Sequence, residues 1–169
     1  MARLATIEDI PAIRAMAKVA FRHTYRDILS PQQLDYMMDW MYSTESLERQ
    51  FAAGHIFFIE DGRGYASFHP DKTAGPLTDN KGAITTFHLE KLYVLPGFQG
   101  QGTGRMLFGS IVEKAREMAG GAIRIELNVN RYNKAVTFYE HLGMHKDRSG
   151  DFPIGNGYFM NDYIMAVNL

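Results

Sequence analysis

The chain has 169 residues, 46% of them hydrophobic and 22% charged, which suits one soluble domain with a buried core and excludes a disordered chain. Its 18 Lys and Arg against 19 Asp and Glu leave a net charge of −1, so there is no electrostatic basis for binding nucleic acid or an anionic membrane. With no cysteine, disulfides, a thiolate nucleophile and cysteine-ligated zinc are excluded.

Charge breaks the first residues, Met1 to Asp9, too early for a signal segment, and no apolar run approaches membrane-spanning length. The expected compartment is the cytoplasm. Arg3 to Ala5 reads as a first strand, and Thr6 with Asp9 as a capping box for a helix carrying Ile10, Ile13, Ala17 and Ala20. Ser30-Pro31 is a second start signal, a cap followed by proline. In that helix Leu34, Met37, Met38 and Met41 form the apolar stripe, which assigns Asp35, Asp39 and Tyr42 to the other face. A third helix is expected from Ser43 to Gly54, then a hairpin of 55–60 and 64–69 around Asp61-Gly62-Arg63.

Pro70 to Gly82 has the composition of a surface loop, and Ala83 to Leu95 that of a long strand. That strand runs into Pro96-Gly97-Phe98-Gln99-Gly100-Gln101-Gly102-Thr103-Gly104-Arg105 and then a helix with Leu107, Ile111, Ala115 and Met118 at helical spacing. Gly120-Gly121 stops the helix. Ile123 to Val129 alternates as a half-exposed strand, and Asn133 to Leu142 forms a helix ended by Gly143. His145 to Arg148, a loop over Asp151 to Asn156 and a strand from Tyr158 to about Val167 complete the chain.

Strand, glycine-dense turn and helix together make an anion site, because Gly100, Gly102 and Gly104 let successive N–H groups converge at the positive end of a helix. The spacing is neither G-x-G-x-x-G, since Arg105 and Leu107 fill the sixth positions, nor a Walker A loop, since no Gly-Lys-Ser/Thr occurs. What stands is Q-x-x-G-x-G, Gln99, Gly102 and Gly104, followed by the stretch Asn130 to Met144, in which Ala135, Phe138, Tyr139, Gly143 and Met144 fall at the spacing A-x-x-F-Y-x-x-x-G-M with Asn133 two residues before Ala135. With these two elements, in this order, the chain resembles the GNAT superfamily of acetyl-CoA-dependent N-acetyltransferases, most strongly over about 55–167. The resemblance implies an α/β fold in a single domain, 1–169. Its sheet would be mixed and mostly antiparallel, flanked by helices, in the order β-α-α-α-β-β-β-α-β-α-β-β.

The resemblance also implies site residues. The segment Gln99, Gly100, Gln101, Gly102, Thr103, Gly104 and Arg105 would hold the coenzyme A pyrophosphate, chiefly by backbone amides. Leu92, Tyr93 and Val94 would pair with the pantetheine, and a backbone N–H there would support the oxyanion. Asn133 corresponds to the residue that hydrogen-bonds the pantetheine from the other side, and Tyr139 to the general acid near the coenzyme sulfur. For the base, Glu90 matches the glutamate of polyamine-type members in Leu-Glu-x-x-x-Val, and His88 the position used by histone-type members. An ammonium has a free pKa of about 10, so either would act on the neutral fraction or through water.

Arg105 and Lys134 are candidates for the coenzyme's 3′-phosphate. Asp35, Asp39, Trp40, Tyr42 and Tyr25 are candidates for an acidic, aromatic wall around a cationic substrate. No metal is expected, since Gly143 separates His141 from His145. Thr24 to Pro31 resembles small bacterial acetyltransferases related to polyamine acetylation. The expected function is therefore direct acetyl transfer from acetyl-CoA to a small cationic amine, with no enzyme thioester on the path. The alternatives are a protein or peptide amine as acceptor, or a non-catalytic coenzyme-binding sensor. The expected partner is a small molecule, and homodimers are frequent among relatives.

Overall fold

The computed structural model describes residues 2–169. They form two compact units, one of residues 2–69 with Lys91–Val112 and one of Pro70–Glu90 with Glu113–Leu169. Strand β5 (Gly82–Val94) and helix α4 (Thr103–Ala119) each contribute one part to either unit.

The first unit begins with β1 (Arg3–Leu4) and a 3-10 turn, Ile7–Asp9, closed by the Thr6–Asp9 capping box. Arg3 holds this corner: its guanidinium donates to Asp9 and to Asp61 at 2.9 Å each, and those bonds keep both carboxyls below the usual aspartate range. Helix α1 (Ile10–Tyr25) buries Ile13, Ala17, Ala20, Phe21 and Tyr25. Ser30 caps α2 (Pro31–Tyr42) by accepting the Gln33 N–H, and Ser43 caps α3 (Thr44–Ala52) by accepting the Ser46 N–H. Strands β2 (Ile56–Glu60) and β3 (Gly64–Pro70) form the expected hairpin, with Glu60 opposite Gly64. The strand order here is β1, β2, β3, β5.

The hydrophobic pattern misassigned Tyr42. It is 1% exposed and its hydroxyl meets that of Tyr65 at 2.7 Å. At the C-terminal end of α2 the packing partners come from α1 and β3, not from the stripe of Leu34 and Met37. Around this bond Phe21, Tyr25, Tyr65 and Tyr93 pack ring against ring, with centroids 4.7–5.9 Å apart in the pairs Phe21–Tyr25, Phe21–Tyr42, Phe21–Tyr93, Tyr42–Tyr65 and Tyr65–Tyr93. Burial pushes the Tyr65 hydroxyl well above the usual tyrosine value, so it stays a neutral donor or acceptor.

Gly64 is required by a close approach. A Cβ there would lie 2.6 Å from the Tyr93 carbonyl oxygen, a backbone atom that cannot swing away. Gly64→Ala is expected to cost about 2 kcal/mol through overpacking. Calorimetric melting would show this as a fall of several degrees in Tm.

In the second unit the order is β5, β6 (Ile123–Asn130), β8 (Tyr158–Asn168), β7 (His145–Gly155). The β5–β6 pair is parallel, whereas β6–β8 and β7–β8 are antiparallel. The mixed, mostly antiparallel α/β architecture expected from the sequence is present, with two corrections. The Pro70–Gly82 loop contains a short strand, β4 (Leu77–Asp79), paired with β5. The expected loop over Asp151–Asn156 is mostly strand, because β7 runs to Gly155 and only Asn156 and Gly157 turn the chain, both at positive φ. Pro153 is tolerated there because β7 is an edge strand, with a register irregularity between Pro153 and Gly155. Helix α5 (Ala135–His141) is shorter than expected.

Candidate active site

In the first unit the glycine turn has the form an anion needs. Gly100 and Gly102 sit at φ +75° and +85°, and a Cβ on Gly97, Gly100 or Gly102 would meet nothing within 4 Å. The turn is braced from beneath. Phe98 N–H donates to Leu95 O at 2.9 Å, Gln99 Nε2 to Val94 O at 3.3 Å, and Gln101 Nε2 to Gly97 O at 3.3 Å. The side chains of Gln99 and Gln101 thus hold the turn's shape. Helical bonding begins with Met106 N–H to Gly102 O at 2.9 Å, so the N–H groups of Thr103, Gly104 and Arg105 precede the helical ladder at the positive end of α4. Thr103 is buried and Arg105 exposed.

Upstream, Leu95 N–H donates to Arg63 O at 2.8 Å. Backbone groups alternate between the two edges of a strand. Tyr93 therefore turns its N–H and C=O toward β3, and Leu92 and Val94 turn theirs to the opposite edge. Of the three residues named from the sequence, Leu92 and Val94 have the backbone direction suited to an extended ligand.

Lys91, just before them, escaped the sequence reading. It is 3% exposed, its Nζ donates to Gln50 Oε1 at 2.7 Å, and it lies over the rings of Tyr42 and Phe57. Gln50 in turn donates through Nε2 to Met41 O at 2.9 Å and to Ser46 Oγ at 3.1 Å, and Ser46 Oγ donates to Trp40 O at 2.6 Å. A buried lysine thus ties β5 to the last carbonyls of α2. Nothing in a strand segment reading Glu-Lys-Leu distinguishes such a lysine from a solvated one.

In the second unit the β5–β6 ladder ends at Leu89 opposite Leu127, although β5 continues to Val94 and β6 to Asn130. His88 and Glu90 are the half-buried positions between buried Phe87, Leu89 and Lys91, and His88 lies opposite Glu126. Asp71 lies near His88. Burial pushes its carboxyl up, but bonds from the Thr73 hydroxyl and from Thr73 and Ala74 N–H, with the His88 charge, hold it below the usual range. Asn133 Oδ1 accepts the Ala135 N–H at 2.9 Å, just before α5 begins. Its side-chain NH2 makes no hydrogen bond among the described residues. Tyr139 is 6% exposed and packs edge-on against Phe138 at 5.3 Å. Lys134 is exposed. His141 closes α5 and His145 opens β7, with Gly143 at φ +92° between them.

The expected acidic, aromatic wall divides. Tyr25 and Tyr42 are core residues, Asp35 is paired with Arg22 at 2.9 Å, and Asp39 and Trp40 are exposed.

Asp162, also unmarked in the sequence, is fully buried. Its Oδ2 accepts from Asn128 Nδ2 at 3.2 Å, while Oδ1 has no partner. Burial pushes its carboxyl above the ordinary 3.8, partly offset by Asn128 and the Arg131 charge. A raised acid favours folding while protonated. That contribution is complete below the unfolded value and is lost as pH rises through the folded one. Asp162→Asn is expected to stabilise the chain at pH 7 by about 1 kcal/mol, a gain that shrinks toward pH 4 in paired thermal melts.

A model described as the acetyltransferase (GNAT) family matches residues 16–144. An uncharacterized N-acetyltransferase of Mycobacterium tuberculosis is 31% identical over 102 residues, 60% of this chain and 64% of the relative, so the match leaves over a third of that relative's length uncovered. The uncharacterized N-acetyltransferase YjgM of Escherichia coli is 29% identical over 143 residues, 83% of this chain and 79% of the relative. Among solved structures, the PaiA N-acetyltransferase of Thermoplasma acidophilum in complex with coenzyme A covers 100% of this chain and 98% of its own, with TM-score 0.68 and 18% identity. A GCN5-related N-acetyltransferase of Rhodopseudomonas palustris covers 100% and 95%, with TM-score 0.74 and 20% identity. At these identities the structural likeness speaks to the fold.

Proposed function

The chain belongs to the GNAT acetyltransferase family, and from that premise we propose that it moves an acetyl group from acetyl-CoA directly to a primary amine, a small cationic amine such as a polyamine. The observation that carries the reading is the braced glycine turn, open above Gly100 and Gly102 and leading into the N-terminus of α4. Side chains at those positions would fill the space a diphosphate needs, so the residues present fit the coenzyme. The likeness to a fold solved with coenzyme A supports it.

When bound, acetyl-CoA supplies an acetyl group already activated as a thioester. The N–H groups from Gly100 to Arg105 would hold the pyrophosphate. Leu92 and Val94 would offer N–H groups to the pantetheine and to the acyl oxygen, where charge develops during transfer. The Asn133 side-chain NH2 would donate to a pantetheine carbonyl while its oxygen holds the Ala135 N–H. Tyr139 would return a proton to the leaving sulfur, and Glu90 or His88 would take one from the amine, directly or through water.

The test is release of free thiol from acetyl-CoA in the presence of spermidine, spermine, simple diamines, aminoglycosides and peptide N-termini. The chain has no cysteine, so the signal carries no background from the protein. Rapid release with a polyamine supports the reading, and release only with peptides moves the acceptor to a protein amine. Coenzyme binding without release from any amine would leave a sensor.

A further inference from the structure

Besides its buried residues, helix α2 carries an aromatic and acidic side. Its buried residues are Leu34, Met37 and Tyr42. Tyr36 and Trp40, one helical turn apart, stack with centroids 6.5 Å apart and planes 26° from parallel, and Trp40 is 46% exposed. Asp39, three residues after Tyr36 and so a neighbour of the same stack, is exposed and has no ion-pair partner among the described residues. Asp35 differs, because Arg22 neutralises it at 2.9 Å.

The patch is held rigidly. The Trp40 and Met41 carbonyls are bound by Ser46 and Gln50, and Gln50 is bound by the buried Lys91. The nearby C-terminal end of α2 adds partial negative charge.

An exposed indole and an unneutralised carboxylate, each a helical neighbour of Tyr36, are complementary to a protonated alkylamine. The cation sits over the ring, its methylenes lie along the aromatic surface, and the carboxylate supplies the counter-charge. We infer that the Tyr36–Asp39–Trp40 face of α2 binds a protonated alkylamine nitrogen of the acceptor. The inference rests on the acetyltransferase reading and deepens it. The nitrogen that reacts must give up its proton, so the nitrogen held on α2 is a second one. The acceptor class is then a diamine or longer polyamine, and not a monoamine or a neutral molecule.

Trp40 is the only tryptophan in the chain, so its fluorescence reports on this patch without any catalysis. Titration with 1,5-diaminopentane and spermidine, without coenzyme, is expected to change the emission saturably. 1,5-Pentanediol at the same concentrations should have no effect. Asp39→Asn, a conservative change at an exposed site, should raise the apparent Kd about 2–5-fold, in the range of a single exposed charge. In turnover, Asp39→Asn and Trp40→Leu should raise the KM for the diamine and leave that for acetyl-CoA unchanged.

An equal response to the diol, or an Asp39→Asn titration identical to the parent, overturns the inference. Diamine acetylation with a silent Trp40 also overturns it, while the acetyltransferase reading stands. Saturable, Asp39-dependent quenching without any thiol release supports cation binding by α2 and removes the transferase reading instead.

Discussion

Replacing Gly102 with valine is expected to weaken coenzyme A binding by about 100-fold while leaving the core intact. At φ +85° a branched residue carries a backbone penalty of roughly 1–2 kcal/mol. If the turn relaxes to escape it, one charge-assisted contact to phosphate, about 1.5–3 kcal/mol, is lost as well. Each 1.4 kcal/mol is about tenfold in affinity. A Cβ at Gly102 meets nothing within 4 Å, so overpacking adds nothing to the cost, and the melting temperature should reflect the backbone penalty alone. Gly97→Ala is the control, because its Cβ site is equally open and it is not among the positive-φ glycines. Calorimetric titration with coenzyme A reads both variants. Unchanged affinity in Gly102→Val would mean the turn is a connection between elements and not a phosphate cradle.

The second large effect is on turnover. Tyr139→Phe keeps a buried ring against Phe138 and removes only the hydroxyl, so it opens no cavity of consequence. It is expected to lower kcat by about 100-fold or more, the lower end of what a positioned general acid contributes, with coenzyme affinity within about twofold of the parent by the same titration. Stopped-flow detection of free thiol gives the rate. A kcat equal to the parent's would move the acid to another group and return Tyr139 to the core.

Glu90 and His88 cannot both be the base, and their surroundings differ. His88 lies opposite Glu126 and near the Asp71 carboxylate, whereas Glu90 follows the last ladder pair of β5 and β6. The sequence names both through the family resemblance, Glu90 at the position of the polyamine-type members and His88 at that of the histone-type members. What separates them is the end of the ladder, which depends on where β6 stops pairing.

What the sequence determined by itself is what short-range physics decides. Thr6, Ser30 and Ser43 begin helices because a side-chain oxygen satisfies an N–H two or three residues on. The Asp61-Gly62-Arg63 turn sets the register of β2 and β3. The glycine turn lies just after β5 and opens α4, so its chemistry is contained in one contiguous stretch.

Only the tertiary structure decided the rest. Tyr42 is core because Tyr65, 23 residues away, supplies its hydrogen-bond partner, and Lys91 is buried because Gln50, 41 residues away, accepts its hydrogen bond. β4 exists because β5 lies beside it, and Pro153 belongs to a strand because β8 pairs with it at the sheet's edge. Burying a charge or a hydroxyl is favourable only when a distant group completes its hydrogen bonds. No local pattern of residues records which distant group that will be.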